Sequence, residues 1–180
     1  MKIAFFGPMC SGKSTISKYL EETYDFKILS FASHVKEYCK EIFDMKYKDR
    51  KLLQDFANKC REINENVWVN LTEKEITKMK GINIVIDDLR FPNEYKMLKR
   101  LGFIVIKLDI SPDLQYERIM TTYPVTYSQH ITRCGDISES FYNDLDYDCI
   151  FKITKETEQN IQNDIKVFIT HINNELSMVK

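Results

Sequence analysis

Residues 3–15 read IAFFGPMCSGKST: four apolar residues run into a loop holding two glycines, followed at once by Lys13, Ser14 and Thr15. The apolar run, KIAFF at 2–6, predicts a strand covered on both faces. Gly7-Pro8-Met9-Cys10-Ser11-Gly12-Lys13-Ser14 fits G-x-x-x-x-G-K-[ST] and stands between that strand and a predicted helix, the context the pattern requires. The glycines let the backbone bend until successive N–H groups converge at a positive helix end, a concave donor surface for polyphosphate oxygens. Lys13 would reach the β- and γ-phosphates as a mobile charge, and the Ser14 hydroxyl would hold Mg²⁺. The expected ATP-binding segment is therefore Gly7, Pro8, Met9, Cys10, Ser11, Gly12, Lys13, Ser14 and Thr15. Cys10 reads as a small side chain that fits the loop and carries no assigned chemistry.

The chain around this loop has 180 residues, 43% hydrophobic and 29% charged, which suits one globular domain over 1–180. A formal net charge of −1 gives no basic field for a nucleic acid, so any bound anion should be small and locally recognised. No apolar run approaches a membrane span, and the start is too short for a secretory signal, so no membrane association and a cytoplasmic location are expected, the host's cytoplasm if the chain is viral. Five scattered cysteines, never spaced Cys-x-x-Cys, read as free thiols.

Further apolar runs follow at 27–31, 82–87, 103–109 and 148–153. Between them lie helical stripes such as Val35, Tyr38, Cys39 and Ile42, then Leu52, Leu53, Phe56, Ala57 and Cys60. Pro92 and Pro112 sit where proline is tolerated at the start of a helix. A last helical face carries Ile161, Ile165, Phe168, Ile169 and Ile172. Strands alternating with helices predict an α/β fold on a parallel sheet, with ligands beyond the carboxyl ends of the strands.

The strand at 82–87 ends in Asp87 and Asp88, within INIVIDDLRFPNE. A carboxylate there can hold the magnesium shell opposite Ser14; the sequence leaves open which aspartate does so, or whether the pair only caps a turn. No Asn-Lys-x-Asp signature and no Asp-x-x-Gly switch occurs, which argues against a GTPase, and the length excludes the added domains of a helicase. A small kinase remains.

Phe31-Ala32, KDRKLLQ (48–54), REINENVW (61–68), DDLRFPNE (87–94) and SE (138–139) together resemble the phage-type deoxynucleoside monophosphate kinases, in matching order over about 1–155. The resemblance implies the P-loop nucleoside monophosphate kinase-like fold: a five-stranded parallel sheet flanked by helices, an acceptor-binding helical segment at about 33–80, and a short lid at about 118–135. It implies transfer of the γ-phosphoryl group of ATP, with Mg²⁺, to a deoxynucleoside 5′-monophosphate (dNMP). By the same resemblance Arg61 and Arg90 fall in acceptor-binding motifs, and Phe31, Asp88 and Glu139 join them on the substrate side. A homodimer stays open.

An ionised phosphate acceptor needs no strong base, so catalysis rests on positioning and on neutralising charge between two anions. Arginine grips phosphate in bidentate fashion and stays charged. The candidates are Arg50, Arg61, Arg90, Arg118 and Arg133; Arg118 and Arg133 flank the polar stretch IMTTYPVTYSQHIT expected to be the lid. With Lys13, the arginines at 61, 90, 118 and 133 form the expected catalytic set. Trp68, the only tryptophan, could stack a base or anchor a helix. Rival readings are a kinase for another phosphorylated acceptor such as phosphomevalonate, and a module that binds ATP without using it.

Overall fold

The computed structural model describes residues 1–133, 145–154 and 162–170. Five strands, β1 (Lys2–Phe6), β2 (Phe26–Leu29), β3 (Asn83–Ile86), β4 (Ile104–Ile110) and β5 (Cys149–Ile153), form one sheet in the order β2-β3-β1-β4-β5. Every pairing is parallel; Ala4 stands beside Ile86 on one side and Val105 on the other. β1 is thus central, and the loop that follows it opens at the middle of the carboxyl edge, where the chain leaves toward opposite faces.

Alternation along β1 divides the core in two. Ile3 and Phe5 join Val85, Ile106 and Leu108 under Ile16 and Leu20 of α1 (Lys13–Tyr24), Leu114 of α6 (Pro112–Thr122), and Ile165 and Ile169 of a helix over 162–170. Ala4 and Phe6 face the other way, into Ile84, Ile86 and Val105, covered by Val69 and Ile76 of α4 (Val67–Lys78) and Met97 and Leu98 of α5 (Pro92–Arg100). Ile161 and Ile172 of the last predicted stripe lie outside the described residues. Both prolines open their helices as expected.

The remaining helices stand off the sheet. α2 (Phe31–Phe43), α3 (Arg50–Ile63) and α4 share a small core of Val35, Cys39, Ala57 and Trp68, so the segment expected at 33–80 is a three-helix unit beyond β2 and β3. α6 ends at Thr122, a turn carries the chain to α7 (Tyr127–Arg133), and this pair occupies the predicted lid positions. Lid residues 134 and 135 are outside the described set, as is Glu139. The four cysteines of the described residues are free thiols.

Candidate active site

The loop at 7–14 is built from backbone conformations that few residues tolerate. Gly7 has φ +147°, and a Cβ there would lie 2.5 Å from the Leu108 carbonyl oxygen of the neighbouring strand. Cys10 (φ 62°) and Gly12 (φ 97°) also take positive φ. These reversals turn the chain into a cup at the start of α1. Gly12 is the N-cap and supplies no side-chain acceptor to the first N–H groups of the helix. That arrangement fits a phosphate group.

Lys13 folds back across the cup: its ammonium donates to the carbonyls of Gly7 (2.6 Å) and Pro8 (2.7 Å) and to Ser11 Oγ (3.3 Å). Ser11 is fully buried, and Thr15 is exposed on the first turn of α1. From α6, Arg118 Nη1 donates to the Cys10 carbonyl (3.3 Å) and Gln115 Nε2 to the Met9 carbonyl (3.0 Å). Burial holds the Cys10 thiol above its ordinary pKa, against the pull of Lys13 and Arg118, so it is a weak nucleophile in keeping with its lack of assigned chemistry.

The two aspartates part company. The Ser14 hydroxyl donates to Asp87 Oδ2 at 3.0 Å, which sets this carboxylate beside the loop. Burial, then the charge of Asp88, raise the Asp87 pKa against the opposing effects of Ser14, Lys13 and Lys36. A cation bound there would relieve that penalty. Among the described residues no group of three or more His, Cys, Asp or Glu side chains could hold a metal, and Mg²⁺ is the ion that needs none, since one or two carboxylates, a hydroxyl, water and phosphate complete its shell.

Asp88 turns to α2 instead. Its Oδ2 accepts from Ser30 Oγ (2.6 Å) and Ala32 N (2.9 Å), and its Oδ1 from Phe31 N (3.0 Å). Successive side chains at a strand end diverge, so one aspartate meets the loop and the other caps a helix. Asp88 was one of two candidates for the metal and was expected on the substrate side; in the structure three donors occupy its two oxygens, and it fastens the start of α2 to the end of β3. Phe31, expected on the substrate side, is 3% exposed and packs in the core, and its backbone N–H meets Asp88.

Arg61 and Arg90 come together near Asp88. The Arg61 guanidinium lies 4.6 Å from the Phe91 ring centroid and donates to Asn58 Oδ1 at 3.1 Å. Burial is the main reason its pKa falls, and Arg90 adds like-charge repulsion, while Glu94 and Asp88 oppose. Two cations on one wall suit a dianion. The turn carrying Arg90 is tied down by Glu94, whose Oε2 accepts from Arg90 N (2.9 Å) and Phe91 N (3.0 Å). Glu94 is 3% exposed, and burial, reinforced by Asp88, pushes its pKa up to about 8.

Trp68 is the anchor, not the open platform a base would need. Its ring is 3% exposed, its Nε1–H donates to the Ala57 carbonyl (3.1 Å), and Tyr38 and Phe56 flank it at 6.3 and 5.9 Å. Arg133 ends α7, but its side chain is outside the described residues, so the catalytic assignment there has no geometry. Glu94, Gln115, Ser30 and Lys36 were absent from the sequence-level set. Lys36 lies one helical turn past Ala32, whose N–H meets Asp88, and its charge acts on Asp87.

A family model described as "AAA domain" matches residues 3–123, from β1 through the loop, the strand-end aspartates and α6. The chain belongs to this AAA domain family. The parallel sheet order and the loop give it the P-loop kinase fold. A protein of Acanthamoeba polyphaga mimivirus described as "Putative deoxynucleotide monophosphate kinase" is 29% identical over 140 residues, covering 59% of this chain and 72% of that protein. Shikimate kinase from Acinetobacter baumannii, in complex with shikimate, matches with a TM-score of 0.57 at 16% identity over 94% of this chain and 93% of that one. TT1252 from Thermus thermophilus gives 0.61 at 14% over 95% and 97%. At these identities the likeness establishes the P-loop kinase fold alone. No helix among the described residues is long and apolar enough to cross a membrane.

Proposed function

We propose that this protein transfers the γ-phosphoryl group of ATP to a deoxynucleoside 5′-monophosphate, giving ADP and a dNDP. The observation that carries the reading is that Arg61 and Arg90 lie close enough to interact, beside Asp88, whose neighbour Asp87 meets the phosphate loop through Ser14. The loop would receive the triphosphate, with Lys13 released from its own carbonyls to the β- and γ-phosphates. Ser14 and Asp87 would hold Mg²⁺, which when bound neutralises phosphate charge. Arg118, already against the loop, would flank the triphosphate.

Unit charges about 4 Å apart repel by about 4 kcal/mol at an effective dielectric of 20, and each phosphate carries more than one charge. Fixed guanidinium groups on the acceptor side answer that repulsion without an imported base. A shikimate-type alcohol acceptor would need proton removal; a phosphate acceptor is already ionised at neutral pH. The mimivirus relative supports the nucleotide reading among acceptors.

Incubation with ATP, Mg²⁺ and each dNMP in turn tests this directly. ADP and the matching dNDP should appear together with at least one base, and Lys13→Ala should abolish both while leaving the thermal melt in place. Turnover with phosphomevalonate or shikimate and with no dNMP would replace the acceptor; ATP binding without acceptor-dependent ADP release would end the kinase reading.

A further inference from the structure

Two arginines of α3 have partners: Arg50 Nη1 lies 2.9 Å from His130 Nδ1, and Arg61 donates to Asn58 beside the Phe91 ring. Another stripe of the same helix borders open space. Phe56, Cys60 and Asn64 recur every fourth residue and share one face, and α4 brings Val67, Leu71 and Lys74 to it at i, i+4 and i+7. Side-chain volume falls from Phe56 to Cys60, and Asn64 ends the helix as its C-cap, so the gap between the helices stays unfilled. The result is a cavity of about 400 Å³, which Tyr38 of α2 also lines. Arg61 follows Cys60 about 100° further round the helix, so the cavity and the Arg61–Phe91 contact lie on different sides of α3. Val69 and Ile76, which α4 turns to the sheet, do not line it.

The lining is apolar and aromatic, with polar groups at its exposed rim. Tyr38 and Phe56 stand 6.3 and 5.9 Å from Trp68, centroid to centroid. The Trp68 N–H already donates to the Ala57 carbonyl, so this anchor gives the cavity ring surface and no donor. Asn64, Asn70 and Lys74 are the exposed polar members. Asn64 Oδ1 accepts from Asn66 N at 3.0 Å, which leaves its NH₂ to donate. The acidic neighbours of Lys74 face elsewhere, Glu73 to Arg100 and Glu75 to His34, and Lys74 has no ion pair among the described residues. No Asp or Glu lines the cavity.

We propose that this cavity is a second small-molecule site, for a planar aromatic anion whose ring lies against Tyr38 and Phe56 and whose acidic group meets Lys74. Its volume falls in the range of about 300–1,000 Å³ usual for ligand pockets, which pair apolar walls with a few convergent polar groups. Rings facing a void forgo dispersion contacts that a flat apolar molecule restores, and aromatic pairs gain further from edge-to-face or offset packing. A lysine and an amide donor with no carboxylate nearby favour an anion over a cation. Aromatic carboxylic acids and nucleotides share this chemistry. The inference stands apart from the acceptor reading, since it uses neither the phosphate loop nor Arg61 and Arg90.

Calorimetry with naphthoate and with its neutral counterpart naphthamide tests the site in the wild type, in Lys74→Gln and in Cys60→Leu, which adds bulk at the narrow point of the stripe. One naphthoate should bind per chain, about threefold to fivefold tighter than naphthamide, the range an exposed ion pair supplies. That preference should vanish in Lys74→Gln, and Cys60→Leu should bind neither. Bound naphthoate should also protect Cys60 from iodoacetamide, read by peptide mass spectrometry, while labelling of Cys10 in the phosphate loop continues unchanged. Competition separates the sources: displacement of naphthoate by a dNMP assigns the site to a nucleotide, and displacement by benzoate alone assigns it to a free aromatic acid. Thermal melts check the fold, and if Cys60→Leu fails to fold, Lys74→Gln and the protection of Cys60 decide. No saturable binding to the wild type, equal affinity for naphthoate and naphthamide, or binding that leaves Cys60 unprotected overturns the proposal.

Discussion

Glu94 gives the sharpest quantitative test of how the turn carrying Arg90 is built. Its carboxyl lies buried with one oxygen accepting the N–H groups of Arg90 and Phe91, and its pKa moves from 4.5 to about 8. A raised folded pKa means that the native state holds a proton which the unfolded chain has already released. The burial penalty is therefore absent below the unfolded value, grows through the window from 4.5 to about 8, and is constant above it. At pH 7 the window crossed is roughly 2.5 units; at 1.36 kcal/mol per unit, about 3 kcal/mol of stability is lost relative to a neutral isostere. Glu94→Gln supplies that isostere, because a single amide oxygen can accept both N–H groups. Urea unfolding of the two proteins should give similar stabilities near pH 4.5 and a variant about 3 kcal/mol more stable at pH 7. Activity should survive, since a neutral side chain at 94 leaves the charge of Arg61 free for a phosphate. Parallel stability curves across that window would refute the reasoning and mean that Glu94 is ionised in the native state, paired with Arg61.

Gly7→Ala places a Cβ 2.5 Å from the Leu108 carbonyl at φ +147°; it should cost about 2–3 kcal/mol in a thermal melt and remove ATP-analogue binding, and a stable, binding-competent variant would mean the loop is not held as described. Trp68→Phe loses the bond to the Ala57 carbonyl and some ring volume, about 1–3 kcal/mol by urea unfolding, with dNMP affinity within about twofold; a large affinity loss at unchanged stability would restore the stacking role. Asp88→Asn should free the start of α2, seen as faster amide exchange at Phe31 and Ala32 with about 1–2 kcal/mol lost, while unchanged exchange there would argue against the cap.

Much of the fold was legible because its signals are local. Each apolar run became a strand within a residue or two, and Pro92 and Pro112 marked helix starts whatever lay around them. The phosphate loop was legible for the same reason: its glycines answer a backbone demand encoded within eight residues. The division of labour between Asp87 and Asp88 was not, because it depends on which element each carboxylate meets after folding, Ser14 from α1 or the first N–H groups of α2. Trp68 and Phe31 were ambiguous for a related reason: an aromatic side chain in a motif looks the same whether its face ends in a cleft or in a core, and only packing decides. The Arg50–His130 contact, eighty residues apart, has no local trace at all.

The aspartate pair also explains why the two halves of the site can be separate yet registered. β3 lies between β1, which launches the phosphate loop, and β2, which leads into α2. From its carboxyl end, adjacent residues reach the elements that follow both neighbours. Asp87 meets the loop through Ser14, Asp88 meets the start of α2, and one peptide unit sets the spacing between them. Arg90 follows two residues later on the same turn, held by Glu94, so the cation proposed for the incoming phosphate is positioned from the same strand end. An insertion of one residue between 87 and 88 would shift these carboxylates out of step while leaving the hydrophobic core intact. Such a variant should fold, bind the ATP analogue through the unchanged loop, and fail to transfer phosphate; full activity would show that the two sides find their spacing independently of β3.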